Sequence, residues 1–262
     1  VMRGPSSSHC AAALRIGRLA RDLMDGGIDD LLVEFDRNGS LPTTHESQGS
    51  DMGLFGGLMG WEAADERLPG SPQALREAGV RIRIETVDAG DAHPNTYRLT
   101  LQNSHEKHSL IAISTGGGMM EVIAMDGFKV SMFGDYHETL LWVDGDGRAV
   151  ARRLAELAET DEVLLHEAAG RQLVEVRAAQ FLSDETIAAL RKVAPIGQVK
   201  WLHPVLPVPS RKGMSVPFST CDAMLRHDAG RNTPLWQLAV EYEKARGNLT
   251  ETESIAKMGE IV

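Results

Sequence analysis

The most unusual local feature of the sequence is a run of hydroxyl side chains that ends in an imidazole, Gly4-Pro5-Ser6-Ser7-Ser8-His9. Ala12, Ile16 and Leu19 recur at helical spacing just after it, which predicts a helix with Ser8 as its N-cap. Free N–H groups at a helix N-terminus, three hydroxyls and one imidazole suit a carboxylate or a phosphate. A capping run that ends in a solvated histidine explains the same residues about equally well.

A second polar segment, Thr43 to Asp51, lies between two apolar stretches. Leu31 to Phe35 precedes it as a predicted strand, and Met52 to Trp61 follows as a glycine-dotted helix that Asp51 should cap. The glycines should let this helix pack closely on its neighbour. Such a loop is either exposed to solvent or lines a pocket. Glycines that bracket it indicate a constrained backbone and favour the pocket. The side chains of interest there are His45, Glu46, Gln48 and Asp51.

Two further short motifs lie beside predicted strands. His93-Pro94-Asn95-Thr96 enters one strand, where proline fixes the backbone and the histidine and asparagine offer polar groups. A turn capped by Asn95 is the plainer explanation. Gly116 and Gly117 belong to Thr115-Gly116-Gly117-Gly118, which either admits a ligand close to the backbone or forms a hairpin bulge.

Familiar catalytic signatures are missing from the sequence. It has no G-x-S-x-G, H-E-x-x-H or P-loop motif, and Gly145-Asp146-Gly147 lacks the third glycine of a dinucleotide fingerprint. His105 and His108 flank a predicted turn, so we expect both to be solvated. Cys10 and Cys221 cannot hold a four-thiolate metal or cluster site by themselves, so no metal ligands are predicted in this chain.

Composition narrows the class of protein. The 262 residues are 42% hydrophobic and 24% charged, which is typical of a soluble globular chain. A net charge of −10 argues against a nucleic-acid partner, and no apolar run approaches the roughly 20 residues that span a membrane. Two cysteines predict a cytoplasmic protein with reduced thiols. Because residue 1 is valine, we expect that the chain starts inside its gene product.

The elements that must position these groups form an α+β pattern. We predict an α+β domain over residues 1–135, a linker over 204–214 and helices over 215–262, one of which Thr233 should cap. Between them, residues 138–203 follow the β-α-β-β-α-β order of a ferredoxin-like fold. The predicted strands are Val80 to Val87, Thr96 to Leu101, Ser109 to Ser114, a hairpin around Asp126-Gly127, Thr139 to Val143, Glu162 to His166, Gln172 to Val176 and Val199 to Leu202.

Together, the motifs resemble the β part of the iron–sulfur-dependent L-serine dehydratases in order and spacing. That resemblance rests on Gly4 to Cys10 followed by Arg15-Ile16-Gly17, Gly39-Ser40 through Ser50-Asp51, His93 to Thr96, and Ser114 to Gly118. It covers about residues 1–135 and implies a serine-dehydratase β-type domain. Residues 138–203 are similar to the ACT-type domain of many relatives, and 215–262 look like the opening helices of the catalytic α part.

The resemblance implies a lyase that converts L-serine to pyruvate and ammonia. It also implies a [4Fe–4S] cluster whose cysteines lie outside this chain, in an α part within the same gene product or on a partner subunit. Paired ACT-type domains would make the protein a homodimer. Ser6, Ser7 and Ser8 would hold the substrate carboxylate, and His9 or His45 would act as base or orienter. Lining residues of the pocket would be Gln48, Asp51, His93, Asn95, Gly116 and Gly117.

Two positions depart from the family pattern. Gln48 stands where relatives commonly have the histidine of K-G-H-x-T-D, and Cys10 replaces the usual threonine. Because glutamine takes no proton at neutral pH, His45 or His9 must serve instead, or the substrate differs. A dehydratase of another 3-hydroxy amino acid therefore stays open. So does a non-catalytic regulatory subunit whose domain at 138–203 senses an amino acid.

Overall fold

The structure has two β-sheets with flanking helices, the first mixed and the second antiparallel, and this confirms the α+β class. The computed structural model describes residues 4–206, 209–211 and 213–261. The first sheet has the strand order β2-β1-β3-β4-β5-β6, with β1 and β2 parallel and the other neighbours antiparallel. Its strands are β1 (Asp30–Asp36), β2 (Arg81–Val87), β3 (Thr96–Gln102), β4 (Lys107–Gly116), β5 (Met119–Met125) and β6 (Phe128–Met132).

Helices cover the first sheet and are joined to it by a core that includes Phe35, Tyr97 and Phe128. They are α1 (Ser7–Asp22), α2 (Leu41–Thr44), α3 (Ser50–Leu58), a short 3-10 helix (Leu68–Gly70) and α4 (Ser71–Glu77). The predicted close approach of the glycine-dotted helix is confirmed. A Cβ placed on Gly53 would lie 2.2 Å from the Cys10 carbonyl oxygen, so α3 lies directly against the backbone of α1.

The second sheet carries its six elements in the predicted β-α-β-β-α-β order. Neighbouring strands run antiparallel in the order β10-β7-β9-β8. The elements are β7 (His137–Val143), α5 (Gly147–Leu157), β8 (Glu162–Ala168), β9 (Arg171–Ala178), α6 (Asp184–Leu190) and β10 (Ile196–Leu202). Leu141 and Val174 pack in the core under α5 and α6, whereas Leu140 and Leu173 join the core of the first sheet. The ferredoxin-like and ACT-type assignments stay predictions.

Polar side chains at the junction of the two sheets show that one solvation prediction is wrong. His108 is buried, and its Nδ1 lies 2.7 Å from Asp126 Oδ2. Lys200, on β10, donates to Glu106 Oε2 at 2.7 Å, and Gln198 donates to the same oxygen at 3.0 Å. The second sheet thus covers His108, which we predicted from the sequence to be solvated. His105 is exposed, as predicted.

Helices α7 (Cys221–Asp228), α8 (Leu235–Gly247) and α9 (Glu251–Ile261) follow the second sheet, as predicted. The proline-rich segment between the second sheet and α7 is the predicted linker. It is held at one end because Val205 N donates a hydrogen bond to the Gly134 carbonyl at 2.8 Å. Residues 207, 208 and 212 of that linker lie outside the described residues. The domain boundaries stay predictions.

Several local predictions are wrong in detail. Ser6, not Ser8, occupies the N-cap of α1, and Pro234, not Thr233, occupies that of α8. Gly49 rather than Asp51 precedes α3, because the chain enters that helix through a left-handed φ of 80°, which favours glycine. Strand β2 alternates in sequence as a half-buried strand should, but it is the sheet edge and is largely exposed.

Candidate active site

A histidine–carboxylate pair is the centre of the candidate site. The turn between α2 and α3 brings His45 back over Asp51, and Ser50 N closes it by donating to the His45 carbonyl at 2.8 Å. His45 Nδ1 lies 2.8 Å from Asp51 Oδ1 and 2.7 Å from Oδ2. A carboxylate at Nδ1 holds the proton on that nitrogen and leaves Nε2 to accept another. Asp51 can therefore orient the His45 imidazole, and the imidazole can act as a general base.

Burial sets the electrostatics of the pair. It raises the pKa of the Asp51 carboxyl, while the nearby charges of His45 and Arg76 oppose that rise. The side chains of His45 and Asp51 are 21% and 14% exposed, so both are shielded but reachable. Phe35 packs beside the imidazole with ring centroids 5.1 Å apart. This aromatic contact and the carboxylate together fix the orientation of His45.

A cavity of about 640 Å³ opens beside the pair, a size typical of small-molecule sites. Its wall combines charged groups with apolar ones and includes the first described residues before α1. The lining residues are Gly4, Pro5, His45, Glu46, Gly49, Asp51, Met52, Phe55, Pro69, Pro72, Arg76 and Ile84. The polar loop predicted to line a pocket therefore does so through His45, Glu46 and Asp51.

The run from Gly4 to His9 borders this cavity, but only Gly4 and Pro5 of the run line it. A Cβ on Gly49 would lie 2.9 Å from Pro5 Cδ, so the two motifs are in direct contact. Ser6 Oγ lies 2.8 Å from His9 Nδ1 and caps no backbone N–H group. Ser8 is partly buried and Ser7 is exposed. The structure thus pairs His9 with Ser6 and not with the cavity.

The other two motifs lie outside the cavity wall. His93 Nδ1 accepts a hydrogen bond from Asn95 N at 3.1 Å, and Asn95 Oδ1 accepts one from the Ser40 hydroxyl. Gly116 and Gly117 are exposed in the turn of the β4–β5 hairpin. The structure therefore joins the first two motifs at one site and leaves these two at separate turns.

Gln48 Oε1 is buried near the pair and has no hydrogen-bond partner within the part of the chain that the structure describes, whereas the buried hydroxyl groups of Ser50 and Tyr97 lie against each other. Burial also raises the pKa of the Tyr97 hydroxyl. Sequence reasoning singled out Gln48 but missed Tyr97 and Arg76. Tyr97 directly follows the His93 to Thr96 motif, which was the available signal; Arg76, in an amphipathic surface helix, gave none.

The described residues do not fit an iron–sulfur cluster. Within 4–206, 209–211 and 213–261, no three His, Cys, Asp or Glu side chains converge as a metal site. Burial raises the pKa of the Cys10 thiol to about 11, which keeps it protonated, and Cys221 lies exposed at the start of α7. A thiol must lose its proton to bind iron, so Cys10 is not placed as a ligand, and Cys221 cannot hold a cluster by itself.

Comparison with known proteins identifies the family. The chain is 33% identical over 206 residues to the probable L-serine dehydratase, beta chain, of Bacillus subtilis, a match that covers 76% of this chain and 92% of the relative. The chain belongs to the L-serine dehydratase beta-chain family. It is also 33% identical over 143 residues to the L-serine dehydratase, beta chain, of Peptoniphilus asaccharolyticus, covering 54% of this chain and 64% of that relative.

No family model matches this member of the beta-chain family. Among the helices that the structure describes, none combines the length and the apolar character needed to cross a bilayer.

Proposed function

We propose that this chain is the β portion of an L-serine dehydratase, a lyase that converts L-serine to pyruvate and ammonia. Both relatives carry that enzyme's name as beta chains. The observation that carries the proposal is the His45–Asp51 pair on the wall of the 640 Å³ cavity. It supplies a shielded base beside a space for a small ligand.

Dehydration of serine requires removal of the Cα proton and departure of the hydroxyl group. His45 Nε2 takes the proton, because Asp51 keeps the other ring nitrogen protonated and stabilises the imidazolium that forms. The cluster that the family resemblance implies would be held by a cysteine-bearing α part and would supply a Lewis acid for the departing hydroxide. Water then hydrolyses the resulting enamine to pyruvate and ammonia. The contribution of this chain is to bind and orient the substrate and to move the proton.

The remaining predicted site residues belong to the same proposal. Their polar groups border the cavity or lie at neighbouring turns, so they reach substrate only when the α part extends the site over them. We assign this bordering role to Ser6, Ser7, Ser8, His9, Gln48, His93, Asn95, Gly116 and Gly117.

The rest of the chain is assigned by its topology and its surface. Residues 138–203 form an ACT-type domain, supported by the β-α-β-β-α-β order and the strand order β10-β7-β9-β8. Residues 215–262 open the α part, and Leu225, Leu235 and Trp236 expose apolar surface there. Pairing of two ACT-type domains would make the enzyme a homodimer, and we propose that it is cytoplasmic.

One observation favours a second candidate substrate. Gln48 presents a buried amide oxygen without a partner where relatives commonly have a histidine. An amide at this point can accept a hydrogen bond from a ligand that a histidine would contact differently. A dehydratase of another 3-hydroxy amino acid is therefore the alternative, and a panel of such amino acids separates the two.

The test is turnover by the complete enzyme, with this chain assembled anaerobically with its α part. We expect pyruvate formation from L-serine and a fall in kcat of about 10²-fold or more in His45→Ala, since general bases contribute roughly 10²- to 10⁴-fold. His105→Ala, at an exposed turn away from the cavity, serves as the control. A normal kcat in His45→Ala refutes its role as base, and no turnover of any 3-hydroxy amino acid refutes the proposed function.

A further inference from the structure

The cavity wall carries two opposite charges that the proton-transfer pair does not use. Asp51 is already engaged by both of its carboxylate oxygens with His45. Glu46 and Arg76 also line the cavity, and no ion pair joins them among the residues whose contacts are described. Each lies close enough to Asp51 to act on its charge, with opposite sign. The cavity therefore holds a carboxylate and a guanidinium that are both available to a ligand.

Arg76 is positioned at the cavity by its helix. It lies in the last turn of α4, and its Nη1 donates to the Pro72 carbonyl at 3.2 Å. Pro69 and Pro72 form the adjoining wall and restrict the backbone that carries it. The rest of its guanidinium group has no partner that competes with a ligand in the described contacts, and a guanidinium binds a carboxylate through two parallel hydrogen bonds.

We propose that Arg76 and Glu46 form an α-amino-acid-binding site, in which Arg76 binds the carboxylate and Glu46 binds the ammonium group of the ligand. The two remaining substituents of the ligand's Cα atom, its hydrogen and its side chain, then point toward His45 and toward the wall that contains Met52, Phe55 and Ile84. A 3-hydroxy amino acid supplies both of the charged groups that Arg76 and Glu46 bind. This inference rests on the proposed function for the identity of the cavity, and it adds the two residues that select the ligand's charges.

The same geometry gives the carboxylate to Arg76 and not to the serines of α1. Ser6 Oγ is already paired with His9, and none of Ser6, Ser7 and Ser8 lines the cavity. A carboxylate held at those serines would lie outside the wall that contains His45. Because the reacting Cα atom is bonded to the carboxylate carbon, the anchor for the carboxylate must lie within the same cavity as the base.

Selectivity between ligand classes follows from the two charges. A hydroxy acid leaves Glu46 without a cation, and an amino alcohol leaves Arg76 without an anion. Both side chains are largely exposed, so solvent weakens each contact relative to a buried pair. We expect each contact to be worth about 3- to 10-fold in affinity, with Arg76 at the upper end because its contact is bidentate.

The experiment measures binding by calorimetry on the chain assembled with its α part, under conditions without turnover. The probes are L-serine, 3-hydroxypropanoate, which lacks the ammonium group, and ethanolamine, which lacks the carboxylate. Arg76→Met should weaken binding of L-serine and 3-hydroxypropanoate while leaving ethanolamine unchanged. Glu46→Gln should weaken L-serine and ethanolamine while leaving 3-hydroxypropanoate unchanged. Arg152→Met and Glu159→Gln, exposed on and beyond α5, are the matched charge controls.

The outcomes separate this inference from the proposed function. Equal weakening of all three probes, or no change for either variant, overturns the assignment of the two charges even if the enzyme turns over L-serine. The expected binding pattern, in an enzyme that turns over no 3-hydroxy amino acid in the anaerobic pyruvate assay, supports the binding site and refutes the dehydratase. If Arg76→Met fails to fold, Arg76→Lys replaces it: the retained charge should keep most of the affinity for 3-hydroxypropanoate but lose the bidentate part. Unchanged affinity in Arg76→Lys together with unchanged affinity in Glu46→Gln also overturns the inference.

Discussion

Substituting Gly57 with alanine tests whether the contact between α1 and α3 builds the site. A Cβ on Gly57 would lie 2.1 Å from the Leu14 carbonyl oxygen and 2.9 Å from Arg18 N, both backbone atoms of α1. Ordinary contacts begin near 3.4 Å, so the first of these is about 1.3 Å too short. Backbone atoms cannot rotate away as a side chain can. The two helices must therefore separate.

The expected destabilisation is the difference between two effects. Alanine in place of glycine favours a helix by about 0.5–1 kcal/mol. Overpacking a core typically costs about 1–3 kcal/mol, and a backbone clash belongs at the upper end. We expect a net loss of about 2 kcal/mol, or roughly 4–8 °C in Tm for a chain of this size. Separation of α1 from α3 also moves Pro5 away from Gly49, so the cavity should widen and L-serine binding should weaken.

Thermal and urea unfolding of Gly57→Ala and Gly259→Ala make the comparison. Gly259 is also a helical glycine, in α9, and nothing lies within 4 Å of a Cβ placed there. Gly259→Ala should therefore be neutral or stabilising by up to about 1 kcal/mol, because only the helix preference acts. If Gly57→Ala proves as stable as Gly259→Ala, close helix packing does not shape this site and the reasoning is refuted.

Three further outcomes are expected. Asp51→Asn removes the carboxylate that orients His45 and should lower kcat in the pyruvate assay by about 10²-fold or more, whereas wild-type kcat would show that His45 needs no orienting partner. Burial and the nearby Glu175 raise the pKa of Glu138, so the folded chain keeps a proton that the unfolded chain loses, and stability falls with rising pH by up to about 1.4 kcal/mol per pH unit. Glu138→Gln should therefore gain stability over wild type in urea unfolding from about pH 5 upward, and a constant difference across pH contradicts this. Burial lowers the pKa of His108, but its hydrogen bonds to Asp126 and Glu106 outweigh that effect and raise the pKa overall. The stabilisation from the protonated imidazole is complete below about pH 6.5 and is lost as the pH rises through the pKa of His108 in the folded protein. His108→Gln should therefore lower the free energy of unfolding more near pH 5.5 than near pH 8.5. An equal decrease at both pH values refutes the ion-pair explanation.

Local patterns in the sequence predicted most elements because hydrophobic periodicity is a local property. Leu31 to Phe35 and the six elements between residues 138 and 203 form as predicted, since alternation and helical spacing select each element without knowledge of its neighbours. The Asp126-Gly127 turn also forms, with both residues at positive φ, because those residue types tolerate that backbone. The same local rules placed three helix starts wrongly, since capping depends on how the chain enters each helix.

Motif order was enough to identify the serine dehydratase family and to include His45 and Asp51 among the candidate site residues, because residue types and their spacing are written in the sequence. Only the tertiary structure decided which motifs meet. It joined the first two at a cavity, paired Ser6 with His9, and left His93 and Gly116 at separate turns. It also buried His108 under the second sheet and brought Arg76 to the cavity wall. These contacts join residues distant in the chain, and such contacts are set by the packing of whole elements, which no local pattern encodes.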